Sequence, residues 1–175
     1  MLALVAASLL VSMGSALAIV SVSETLISAH YRDTAQLRYA ADAALARALV
    51  DLEGHPDWRL AGEELMSGLR DGAAPGLQLV GGAAVDPVAE GALLHTTAPG
   101  PWRPFAWGTA DDLFGAPGPA LFVIVWVSGG GAPDPDALWL VARAYAGGGG
   151  SGGVAVRVVR GASGRSRLVT WHEVR

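Results

Sequence analysis

The chain has no cysteine, which excludes a disulfide scaffold, a thiolate metal site and a cysteine nucleophile. It has no lysine either; all 12 basic side chains are arginine. With 16 acids the net charge is −4, which argues against a general nucleic-acid binder resting on a basic surface. Charge is sparse altogether, 16% of 175 residues, and the first 23 residues carry none. Proline is missing from residues 1–53, and Gly14 is the only glycine there. The two residue types that most strongly interrupt a helix are thus nearly absent from that stretch, so one unbroken helix is permitted over it. The length suits one modest domain plus an extra element.

What stands in the charge-free stretch is "MLALVAASLLVSMGSALAIVSV", residues 1–22, whose polar members are Ser8, Ser12, Ser15 and Ser21. A bilayer core needs about 20 apolar residues in a helix. Serine hydroxyls can return to a backbone carbonyl one turn earlier, so they do not forbid insertion. A cleaved signal peptide is the competing reading, because Ala16-Leu17-Ala18 fits the small-x-small cleavage rule. Against it, no Arg or Lys precedes the run, and Ile19, Val20 and Val22 continue it past the site.

From Glu24 charges return in mixed sign, while Ile27, Tyr31, Ala41, Leu45, Ala48 and Leu52 recur at helical spacing. Arg38 with Asp42 and Arg47 with Asp51 are i,i+4 pairs, base before acid. Gly54 suits a left-handed cap, and Pro56 blocks continuation. The pattern therefore predicts a single helix over residues 2–53. Residues 1–23 form its transmembrane half and residues 24–53 an amphipathic half. The row Leu37, Ala41, Ala44, Leu45, Ala48 and Leu52 should pack on a head formed by residues 54–175.

In the head, residues 58–69 suit a short helix, and residues 77–80 and 91–96 short strands. "PGPWRPFAWG", residues 99–108, reads as a loop whose rings cover the core edge; an exposed aromatic contact patch is the alternative. Four strands follow at 120–128, 137–145, 154–160 and 167–175, with "AGGGGSGG" as a hairpin loop. They predict an antiparallel meander with one face on the helix and the other toward solvent. The fold class is α+β: a long N-terminal helix on a C-terminal antiparallel sheet.

Candidate chemistry is thin. His30, His55, His95 and His172 lack metal-ligand spacing. The "HPD" of residues 55–57 sits in a predicted turn, and Asp134 and Asp136 of "PDPD" fall short of a calcium loop. No serine has a nucleophile-elbow setting, and the glycine loops lack the phosphate-loop form. The expectation is no enzyme, no cofactor and no metal.

"SETLISAHYRDTAQLRYAADAALARAL", from Ser23 onward, resembles the N-terminal region of PilX-type minor pilins. In that family a hydrophobic helix leads through a Glu-containing patch to an A-A-E-A-A-L-like segment. Here the segment is "AADAAL", residues 40–45, with Asp42 in place of the usual Glu, and Glu24 lies in the acidic patch. The resemblance covers residues 1–53. It implies a minor subunit of a type IV pilus or of a type II secretion pseudopilus, acting in pilus assembly. Its helix would sit in the inner membrane with the head in the periplasm until extraction into a filament. Its partners would be other pilin or pseudopilin subunits and membrane lipid, with no nucleic acid. Glu24, Arg32 and Asp42 become candidate assembly residues; Glu24 is also the first charge beyond the apolar run, where an unpaired carboxylate is costly. Two features depart from the family. Prepilins carry a short basic leader ending in Gly, so the resemblance expects either such an extension upstream of Met1 or an uncleaved relative. No acid precedes Glu24, so a major subunit is not implied. A single-pass anchored domain, binding its ligand through the Trp-rich stretch, is the alternative from another class.

Overall fold

The computed structural model describes residues 2–58, 61, 67, 76–94, 101–111, 120–129, 136–161 and 164–174. Two compact units divide the chain, Met1–Ala35 and Gln36–Arg175.

Helix α1 spans Leu2–Glu53, 52 residues without interruption. Its end differs from the expected left-handed cap. Gly54 is not among the glycines with positive φ. The Gly54 N–H instead donates to the Val50 carbonyl (3.2 Å) and the His55 N–H to Leu52 (3.0 Å), tightening the last turn right-handedly before Pro56. Arg160 then donates to the carbonyls of His55 (3.2 Å) and Pro56, tying this exit to the far strand.

In the second unit, β1 (Gln78–Val80) and β2 (Ala83–Val85) form a small antiparallel hairpin, followed by α2 (Pro87–Ala92). A five-stranded antiparallel sheet runs in chain order: β3 (Arg103–Thr109), β4 (Leu121–Gly129), β5 (Ala137–Ala146), β6 (Ser151–Arg160) and β7 (Ser166–Val174). The register aligns Ala106, Val125, Ala142, Val154 and Glu173 across all five strands. The first four of these lie in one core cluster with Leu37, Ala40, Ala41, Ala44, Leu45, Ala48 and Leu52 of α1. Small side chains set this contact: a Cβ on Gly152 would stand 3.3 Å from the Leu37 Cβ, so glycine lets the helix approach β6.

Four sequence expectations need correction. Residues 103–108 are strand, not loop. The cause is a β-bulge between Pro104 and Ala106, which lets Phe105 and Ala106 enter the helix-side core together while Trp107 enters the opposite one. Residues 91–94 are not a strand: Gly91 and Ala92 close α2, and 95–96 lie outside the described residues. Asp86 caps that helix by accepting from the N–H groups of Val88 (2.9 Å) and Ala89 (3.3 Å), with Pro87 in the first turn. Ser151–Gly153 belong to β6 rather than to the hairpin loop. Finally, the second sheet face does not meet solvent. Phe122, Ile124, Trp126 and Val141 are covered by Val80, Val85, Leu94 and Trp107, and the Trp126 indole N–H donates to the Pro87 carbonyl (2.8 Å). Of the helix expected at 58–69, only Trp58, Ala61 and Ser67 are described; Asp134 and His95 are outside the described residues.

Candidate functional site: the apolar surface of the first helix

Residues 2–22 of the first unit offer apolar surface and little else. Leu4, Leu9, Leu10, Leu17, Ile19 and Val22 are exposed. The polar groups of this run are turned inward. Ser8, Ser12 and Ser15 hydroxyls donate to the carbonyls of Val5 (2.9 Å), Leu9 (2.9 Å) and Val11 (2.8 Å). Ser23 and Thr25 do the same to Ile19 and Ser21. With three of its serine hydroxyls bonded back to the helix, the segment has the chemistry of a hydrocarbon-facing rod. α1 is long and apolar enough to cross a membrane, and its apolar window is 0% buried by protein. A core helix of a soluble protein passes the same hydropathy test, but its apolar window would be covered.

Glu24 and Arg32 are exposed in the first unit; Asp42 is half-buried in the second. None of the three makes an ion pair among the described residues. Leu37, Ala41, Leu45 and Leu52 lie on the face of α1 that meets the sheet. The opposite face of the same stretch carries Tyr39 and Val50, both exposed.

Of the two predicted helix pairs, Arg47–Asp51 forms at 3.4 Å. Asp51 also accepts from the Ser67 hydroxyl. Arg38 does not pair with Asp42. Its guanidinium reaches Glu173 of β7 and lies 5.3 Å from the centroid of the Trp171 ring. At the other end of β7, the Glu53 carboxylate accepts from the Ser166 N–H (2.8 Å) and hydroxyl. Those two bonds, and then the charge of Arg165, hold its pKa below the usual carboxylate value.

A second polar group sits beneath α2. Glu90 accepts from the Tyr145 hydroxyl (3.1 Å) and from Arg143 (3.4 Å). Burial first, then the Glu90 charge, pushes the Tyr145 phenol upward. Glu90 and Tyr145 border an open cavity of about 230 Å³ lined also by Ala84, Gly149 and Ser151. Their arrangement joins helix to sheet: the acid is neutralised by an arginine, and the phenol donates a hydrogen bond to the acid. The sequence carries one signal for it. Arg143 stands among Trp139, Val141 and Tyr145 at strand alternation, and an arginine on an otherwise apolar face asks for a buried acid. The Arg38–Glu173 and Glu53–Ser166 links join distant segments and leave no such local trace. Among the described residues no group of three or more His, Asp or Glu is placed to hold a metal ion.

Compared with family models, with curated proteins and with solved structures, the chain matches none.

Proposed function

We propose that the chain is a pilin-like minor subunit, anchored by the first part of α1 in the inner membrane and carrying its sheet-built head on the periplasmic side. From there it would enter a type IV pilus or a type II secretion pseudopilus. The observation that carries this reading is the continuity of α1. An apolar segment with no protein cover runs on, without a linker, into a segment whose apolar row is core of the head. A simple tether has no need of that continuity. A subunit that must transmit movement of its head to a membrane-embedded rod does need it, because a helix resists stretching where a coil does not. The resemblance of residues 23–49 to PilX-type minor pilins supports the same reading and supplies the partners, other pilin or pseudopilin subunits. Its role is structural rather than catalytic.

The anchored binding domain is the weaker reading. Its ligand surface was the Trp-rich stretch, and there Phe105 and Trp107 are each 1% exposed. The test is incorporation. An epitope-tagged chain expressed in its host should co-purify with sheared surface filaments or with a pseudopilus fraction. Recovery only in the membrane fraction, under conditions where filaments are abundant, would sink the proposal.

A further inference from the structure

The two edges of the five-stranded sheet are built differently. β3 is shielded. Pro104 lacks a donor, the bulge at Phe105 breaks the ladder, and the Phe105 carbonyl already accepts from the Ser67 N–H (3.3 Å). β7 is open. Every one of its nine residues is exposed or half-exposed, including Leu168 (54%), Val169 (41%) and Trp171 (43%). Its neighbour β6 buries Val154, Val156 and Val158 almost completely. A register shift opposite Arg157/Val158 leaves Val169 as an extra residue and interrupts the β6–β7 ladder midway.

Apart from that ladder and the half-buried Val174, which packs on the second core cluster, β7 is held by polar contacts near its two ends. Glu53 grips Ser166, and Arg38 grips Glu173 while covering Trp171. The spacing fits. Residues 38 to 53 cover about 22 Å of helix, and residues 166 to 173 about 23 Å of strand, so β7 lies antiparallel along this part of α1. A strand that buries little apolar surface gains little from docking beyond hydrogen bonds that water can replace. Such segments open locally at lower free energy than the core.

We infer that β7 is a detachable edge strand, which opens as a unit from β6 and α1 while β3 to β6 stay folded, with the Glu53–Ser166 and Arg38–Glu173 contacts as its two latches. The inference is independent of the pilin-like reading. Release uncovers the β6 edge, so the latches govern whether that edge is available. The charged neighbour of Glu53 is Arg165, and Ser166 supplies both donors. A carboxylate held below its usual pKa stabilises the docked form above that value, 4.5 for glutamate, and loses the effect as pH falls below it. Acid therefore loosens the Ser166 end.

The experiment is hydrogen exchange on the full chain in detergent micelles, corrected for intrinsic rates and resolved by peptide. In β7, the amides bonded to β6 should exchange at least about tenfold faster than those of β4 and β5. Glu53→Ala should accelerate β7 a further several-fold and leave β4 and β5 unchanged. Arg38→Gln, at a half-exposed site that folding tolerates, should do the same from the other end. Lowering pH below 4.5 should accelerate β7 in the parent chain by more than in Glu53→Ala, which keeps only the Arg38–Glu173 latch to respond to acid. Exchange of β7 together with β4 and β5 in one global event, or variants that shift all strands equally or none, would overturn the inference.

Discussion

Leu45 is the most informative single side chain of α1, because it is buried at the centre of the row that meets the sheet. Removing a fully buried leucine costs about 2–5 kcal/mol, so Leu45→Ala should lower the midpoint of thermal unfolding of the head by circular dichroism. Leu45→Asp buries a charge in the apolar core cluster and should abolish the transition. An unchanged midpoint for Leu45→Ala would show that the helix is not part of the cooperative unit. Tyr145 reports on the opposite sheet face. Its folded pKa is raised above 10.0, so its contribution to stability is complete below pH 10.0 and is lost as pH rises further. The ultraviolet difference between the parent chain and Tyr145→Phe should therefore show no phenolate from this residue until the head unfolds in base. A phenol already half-ionised at pH 10.0 in the folded protein would refute the upward shift.

At the scale of elements, the outer part of α1 belongs to the head, and truncation separates that from a tether. A chain beginning at Thr25 keeps the row from Leu37 to Leu52 and should be soluble and cooperatively folded. One beginning at Gly54 leaves Val125, Leu140, Val154 and Val156 uncovered and should aggregate, as judged by size-exclusion chromatography. A stable Gly54 monomer would contradict the packing. The sequence was most readable where one pattern acts alone. Uninterrupted residues 2–53 and the runs that became β4 to β7 needed only periodicity and turn residues. It was misread where two cues competed. In β3, Pro104 and two flanking prolines argued for a loop, but tertiary pairing with β4 accommodated Pro104 at an edge beside a bulge. In α2, the cue was present, Asp86 before Pro87, yet the following Leu93 and Leu94 suggested a strand. For β4, apolar residues at every position from Leu121 to Val127 already implied burial on both faces, which the assumption of a solvent-facing side overlooked. The Glu53 and Arg38 links were not legible, because each partner is specified only once the sheet has closed; for Glu90, Arg143 on an apolar strand face signalled an acid but not which one.

For the whole molecule, the proposed anchor and the proposed assembly role are separable in experiment. The full chain should float with lipid vesicles in a density gradient, whereas the chain beginning at Thr25 should stay at the bottom; equal flotation of both would place lipid affinity in the head. Glu24→Ala should leave flotation intact and reduce recovery in filaments, and unchanged recovery would remove Glu24 from the assembly surface. The packing of α1 on β6 also has a consequence in time. The helix row ending at Leu52 is finished by Val158, about a hundred residues later in synthesis. At about 5–20 residues per second, the nascent row waits roughly 5–20 s for its cover. During that interval its exposed face is a substrate for chaperones and proteases. The alanines at 40, 41, 44 and 48 lower that hazard, since they present less greasy surface to a passing protease or a neighbouring nascent chain than leucines would. A row chosen for close packing in the finished protein is thus also a row that can be kept waiting.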